Sequence, residues 1–134
     1  MTEDTTGKFI EALERLEIAR DLEPICELFS EDCDIANVIT EDNHHHATDV
    51  RSFWQSYRDN FGEVKSTFRN RIVTEKTAAL EWMTEGTSAD GETEFEYDGV
   101  SILEIDGDRI TRFHAYFNPN KLGRQIVETK KQSA

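Results

Sequence analysis

The chain has 134 residues, the size of one compact domain, and carries 28 Asp and Glu against 15 Lys and Arg for a formal net charge of −13. That excess of negative charge repels phosphate backbones and anionic lipid headgroups, whose binding needs clustered cations, so nucleic acid and membrane surfaces are excluded as expected partners. No Pro/Gly/Ser-rich linker or internal repeat divides the sequence, and residues 1–134 are expected to form a single domain with a core over about 6–126 and a tail over 127–134.

The opening MTEDTTGKF lacks the basic segment and apolar run of a secretory signal, and no window approaches the length of a transmembrane helix. A cytoplasmic location is expected. Cys26 and Cys33 have no spaced Cys or His companions of the kind a zinc site needs, and they read as reduced packing residues. A first helix over 6–19 is predicted by Phe9, Ile10, Leu13 and Leu16 at helical spacing, with Glu11, Glu14, Arg15 and Glu17 on the opposite, solvent face. A short second helix, capped by Asp21 and started near Pro24, carries Ile25, Leu28 and Phe29 and ends near Ser30. The Ile- and Val-rich stretch Cys33 to Ile39 reads as a strand, followed by the polar loop TEDNHHHA. Thr48 then caps a third helix in which Val50, Phe53, Trp54, Tyr57 and Phe61 form one apolar stripe.

From Glu63 the apolar period changes to two. Residues 64–74, 77–88, 93–105 and 109–117 are predicted as long strands, joined at Glu75-Lys76, Ala89-Asp90-Gly91 and Asp106-Gly107-Asp108. Helices followed by hairpin-linked strands mean an α+β fold with a mostly antiparallel sheet, because parallel neighbours need long crossovers. Bent strongly around the three N-terminal helices, such a sheet makes a cone-shaped barrel with one open end.

Three segments carry a resemblance: LFSEDCDIANV after a helix, the third helix TDVRSFWQSY, and above all GVSILEIDGDRITRFHAYFNP. Together they resemble the SnoaL-like branch of the nuclear transport factor 2-like superfamily, over about Phe9 to Gly123. That superfamily includes ketosteroid isomerases, limonene epoxide hydrolases, polyketide cyclases and non-catalytic binders, so the likeness speaks for fold more than for reaction.

In ketosteroid isomerases the resemblance implies an oxyanion-hole tyrosine, a general-base aspartate and a protonated aspartate. These fall here on Leu13, Asn37 and Ser101. Leu13 donates nothing, an amide cannot abstract a proton at neutral pH, and a serine hydroxyl is a weak substitute for a carboxylic acid. The catalytic aspartate on the last strand of limonene epoxide hydrolases falls on Ala115, and their middle-strand Arg and Asp fall near Trp82 and Thr84. Neither reaction is supported at these positions.

Strand alternation puts Phe113, Ala115 and Phe117 on the face the family uses for its pocket. Tyr97, Ser101, Trp82 and Thr84 join them from neighbouring strands, and Leu13, Asn37, Trp54 and Tyr57 from the first strand and the helices. Such a set either lines a cavity for a flat or cyclic apolar ligand, held by stacking and one or two hydrogen bonds, or fills the cone. His44, His45 and His46 sit in a loop beside the expected mouth, where one of them can serve as a base near neutral pH; adjacent residues seldom point at one ion, so no metal or other cofactor is assigned. No catalytic group is assigned either, and Asn37, His44, His46 and Ser101 are the candidates that remain.

Arg112, His114 and Tyr116 alternate onto the outer face, beside Glu81, Met83 and Glu85. That mixture of aromatic, Met and paired charges predicts a homodimer through the outer sheet, with Arg112 meeting Glu81 or Glu85 across a two-fold axis. The expected function is binding of a small hydrophobic molecule of polyketide, terpenoid or steroid type, by an isomerase, cyclase or hydrolase-like enzyme. A non-catalytic ligand carrier or protein-interaction module of the same fold is the alternative.

Overall fold

The computed structural model describes residues 2–38 and 50–119. The histidine triplet, the Thr48 cap, Ile39 and the tail lie outside the described residues. Three helices, α1 (Thr2–Ala19), α2 (Glu23–Cys26) and α3 (Val50–Asp59), accompany five strands: β1 (Phe29–Asn37), β2 (Phe61–Val73), β3 (Thr77–Ser88), β4 (Glu94–Asp106) and β5 (Arg109–Phe117). Among the described residues no helix is long and apolar enough to cross a membrane.

The strands form one sheet in the order β1-β5-β4-β3-β2. Three pairings are antiparallel, and β1 runs parallel to β5. The sheet is curled over the helices but not closed, since β1 and β2 remain as edges. Its order follows from the connections: β2 to β5 are linked by short turns, including Gly107 at φ 63°, a left-handed conformation that glycine adopts without a Cβ clash. β1 and β2 lie at opposite edges of the sheet, and α3 stands between them in the chain.

One apolar layer fills the space between sheet and helices. Phe9, Leu16, Ile25, Ile35, Leu80, Leu103 and Ile110 are almost fully buried in it. The helices pack on the inner face, α1 against β2, β3 and β4, and α3 against β1 and β2. The N-terminal end of α1 is tied to two hairpin turns, by the Thr2 hydroxyl on the Glu75 carbonyl and by Thr5 Oγ1 donating to Gly107 O at 3.4 Å.

Several boundaries differ from expectation. α1 begins at Thr2, with Glu3 and Asp4 in a first turn whose free N–H groups favour negative charge. α2 is a single turn whose N-cap is Leu22 rather than Asp21, with no side-chain cap. β1 starts at Phe29 instead of Cys33, because Phe29 pairs with Ile110 before an irregularity in the register. α3 stops at Asp59, so Phe61 opens β2 instead of ending the helical stripe; it stays in the core from its new element. The largest correction concerns Glu17, expected on the solvent face of α1. It is buried, with 3% of its surface exposed.

Candidate functional site

The inner face of the sheet and the helices above it enclose a cavity of about 400 Å³. Strand alternation supplies most of its wall. Trp82 and Thr84 on β3 lie beside Gly99 and Tyr97 on β4, and Ser101 lies beside Ala115 on β5, so the inward side chains of three strands stand in adjacent rows. α1 adds Phe9 and Leu13, β1 adds Asn37, and α3 adds Phe53, Trp54 and Tyr57.

All eleven residues expected to contact a ligand are on this wall: Leu13, Asn37, Trp54, Tyr57, Trp82, Thr84, Tyr97, Ser101, Phe113, Ala115 and Phe117. Of the four candidates for a catalytic group, Asn37 and Ser101 are among them, while His44 and His46 lie outside the described residues. Sequence reasoning missed Phe9, Phe53, Phe61, Phe68, Ser52, Ser56, Asn60 and Ser66, which also line it. Ser66 was legible in principle, since it alternates with the inward Val64 and Phe68 along β2.

The aromatic side chains gather around two centres that Tyr57, Phe61 and Phe95 connect. Around Phe113 stand Trp54 at 5.1 Å, Phe9 at 5.4 Å, Phe29 at 6.1 Å and Phe53 at 6.2 Å between ring centroids. Around Tyr97 stand Phe117 at 5.2 Å and Trp82 at 5.4 Å, both edge-on. Edge-to-face contacts of this kind lock the rings against one another, which holds the wall open instead of letting it collapse.

Hydroxyl and amide groups are set among the rings. Trp82 Nε1 donates to Ser101 Oγ at 2.9 Å. Trp54 Nε1 is buried without an acceptor among the described residues. Behind the wall lies Glu17, whose Oε2 accepts from the Tyr57 hydroxyl at 2.6 Å and from Ser66 Oγ at 2.6 Å, and whose Oε1 accepts from the Ser66 N–H at 2.8 Å. Ser66 Oγ is also 2.7 Å from Thr84 Oγ1. Burial, and then the charge of Glu17, hold the Tyr57 hydroxyl well above the ordinary range of a tyrosine, and the same two causes raise Tyr97. Both tyrosines are therefore protonated at neutral pH. Among the described residues no group of three or more His, Cys, Asp or Glu converges as a metal site needs.

The SnoaL-like domain family matches residues 7–113. The chain belongs to that family. Solved structures share the fold of this SnoaL-like domain at low identity. A loop-truncation variant of IdmH superimposes with a TM-score of 0.76 at 20% identity, covering 94% of this chain and 99% of that one. TerC, co-crystallized with polyporic acid, gives 0.76 at 15% identity over 94% and 98%. An LEH-like epoxide hydrolase from M. tuberculosis gives 0.70 at 12% identity over 94% and 89%. Among curated proteins none matches the sequence. At these identities the likeness is one of fold alone.

Proposed function

We propose that this SnoaL-like domain binds a flat, cyclic, largely apolar small molecule of polyketide, terpenoid or steroid type in the cavity between its sheet and helices. The observation that carries this reading is the cavity itself, about 400 Å³ of open space walled mainly by aromatic rings. A folded chain gains stability by filling such a space, and pockets of roughly 300–1,000 Å³ with a few polar groups among apolar walls are the usual form of small-molecule sites. The neutral residues at the family positions, Leu13, Asn37, Ser101 and Ala115, argue against steroid-isomerase or epoxide-hydrolase chemistry by the family's usual groups. Native mass spectrometry of the protein as purified from cells tests the binding reading. A retained non-covalent mass that is lost on denaturation is expected; a bare chain that also takes up none of a panel of two- to four-ring aromatic and alicyclic compounds overturns it.

We further propose a homodimer through the outer face of the sheet. Arg112 is already engaged within its own chain, 3.4 Å from Glu104 and 3.9 Å from Asp34, so the apolar residues of this face support the interface better than its charges do. Ile72 and Tyr116 are 65% and 40% exposed there, bordering a shallow groove with Ala79 and Val100. His114 lies beside them, its Nε2 at 3.1 Å from Asp34 Oδ1, an ion-pair distance without the alignment of a hydrogen bond.

A further inference from the structure

Burying a carboxylate is costly unless its oxygens are satisfied, and most helices avoid the cost by placing an apolar residue there. Glu17 occupies such a place. It follows Phe9 and Leu13 on the inner stripe of α1, yet no Lys, Arg or His among the described residues lies within ion-pair distance of it. The nearest guanidinium in the core, that of Arg58, is used on three carbonyls, those of Leu16, Phe61 and Gly62 at 3.2, 2.9 and 3.1 Å. Glu17 is held instead by the two hydroxyls and one amide of Tyr57 and Ser66. Both of those residues line the cavity and Glu17 does not, so they stand between the charge and the open space.

The direction of these hydrogen bonds decides what the cavity can recognise. A hydroxyl has one hydrogen. Tyr57 gives its hydrogen to Glu17 Oε2, and Ser66 does the same, so Thr84 is left as the donor to Ser66. This section of wall is built of hydroxyl groups but has no donor to spare: toward the cavity it offers lone pairs backed by a full negative charge. Tyr97, beside Thr84 across the β3–β4 ladder, makes no hydrogen bond to the described residues and keeps its own hydrogen. A ligand oxygen that both donates and accepts can satisfy both. An ether or a ketone, which only accepts, can take the Tyr97 hydrogen but offers nothing to the Tyr57 oxygen.

We propose that the cavity selects a ring carrying a hydroxyl, a phenol or an enol, whose O–H donates to the Tyr57 oxygen and so to the chain that ends on Glu17. This rests on the proposed binding of a cyclic apolar molecule and adds its polar handle. Tyr57 touches the ligand; Glu17 is a positioning residue that fixes which way the tyrosine's hydrogen points.

The geometry also predicts what a neutral substitute does. The Ser66 N–H holds Oε1 at 2.8 Å and can only donate. In Glu17→Gln the amide oxygen must therefore stay on that N–H, which places the NH₂ where Oε2 was, facing the Tyr57 and Ser66 hydroxyls. The chain reverses: the amide donates to the Tyr57 oxygen, and the tyrosine turns its hydrogen to the cavity.

Three probes of similar size separate the possibilities: 2-naphthol donates and accepts, 2-methoxynaphthalene only accepts, and naphthalene does neither. Equilibrium dialysis against the wild type is expected to give about tenfold tighter binding of 2-naphthol than of the other two, the fold-change of a single charge-backed hydrogen bond. In Glu17→Gln the preference is expected to pass to 2-methoxynaphthalene, with naphthalene unchanged. Tyr57→Phe, which decides the matter if the first variant fails to fold, is expected to bind all three alike. Wild type that binds all three equally overturns the inference and leaves the cavity reading standing, as does a Glu17→Gln variant weakened equally toward all three, the mark of a purely structural glutamate. Failure of the wild type to bind any of them overturns the inference, and failure with the larger ring compounds as well overturns both.

Discussion

A guanidinium with 4% of its surface exposed has to find its partners inside the protein, and Arg58 finds carbonyls at the end of α1 and the start of β2. The last turn of a helix carries its negative end, so a cation there is favoured by the dipole, and Arg58 adds its donors to those of Arg20, which also reach the Leu16 and Gly62 carbonyls at 3.1 Å. Arg58→Met keeps the stem and removes the donors. It is expected to cost about 1–3 kcal/mol in urea unfolding, because the buried carbonyls lose their charge-assisted donors. The thiols make a second test. Burial, and then Asp34 and Asp32, push Cys33 from an ordinary 9.0 up to about 12, and burial raises the half-buried Cys26 as well. Ellman's reagent at pH 8 is expected to leave Cys33 unreacted in the native protein and to modify it quickly in urea. Sign follows from the same shift: the unfolded chain releases these protons first, so the stability they contribute is complete below pH 9 and is lost as pH rises from there toward 12. The urea midpoint should fall between pH 8 and pH 11, and a flat profile would count against buried, protonated Cys33 and Tyr57.

Single elements show where a pattern in the sequence is enough and where it is not. β3 and β5 have the ends expected of them, because strict alternation ran into turns built on Gly107 or on the Glu75-Lys76 break. β1 was less legible: its parallel partner is at the other end of the chain, and no turn marks where pairing with Ile110 begins. Glu17 was misread for a related reason. A charged residue at an inner helical position looks like solvent-facing surface until the hydroxyls of Tyr57 and Ser66, from two other elements, are seen to surround it. The aromatic wall was legible because its members recur on alternate residues of adjacent strands. A prediction belongs to β4. A Cβ on Gly99 would lie 2.4 Å from Tyr116 O, 2.8 Å from Trp82 Cζ2 and 2.9 Å from Phe117 Cβ, so this glycine lets β4 and β5 approach under the Trp82 ring. Gly99→Ala is expected to destabilise by about 1–3 kcal/mol and to change the near-ultraviolet circular dichroism of Trp82. An unaltered spectrum and midpoint would mean that the ladder is looser than drawn here.

For the whole molecule, the inner face is covered and the outer face is not. Ile72, Met83, Val100 and Tyr116 stand on that outer face from β2 to β5, with Asn70, Glu81 and Asp98 among them. Light scattering at micromolar concentration is expected to give twice the chain mass, and Ile72→Glu to give a single chain by placing a charge beside these apolar side chains at the β2 edge. A monomeric wild type, or a dimer indifferent to Ile72→Glu, excludes this face as the contact.

The parallel pairing of β1 with β5 also sets an order in time. β2, β3, β4 and β5 meet through short turns and close small loops, whereas β1 must return from the far end of the described chain before Ile35 can lie against Phe113. Loop closure costs entropy before contacts repay it, so the four-strand meander is expected to assemble first and the β1 edge to dock after the rate-limiting barrier. Ile35→Val and Ile105→Val each remove one buried methyl at a cost of about 1 kcal/mol. In stopped-flow urea jumps the first should speed unfolding and leave refolding unchanged, and the second should slow refolding. An edge that docks last is expected to leave first, and this one carries Asn37, so hydrogen exchange is expected to show the cavity wall opening at β1 at a lower free energy than global unfolding.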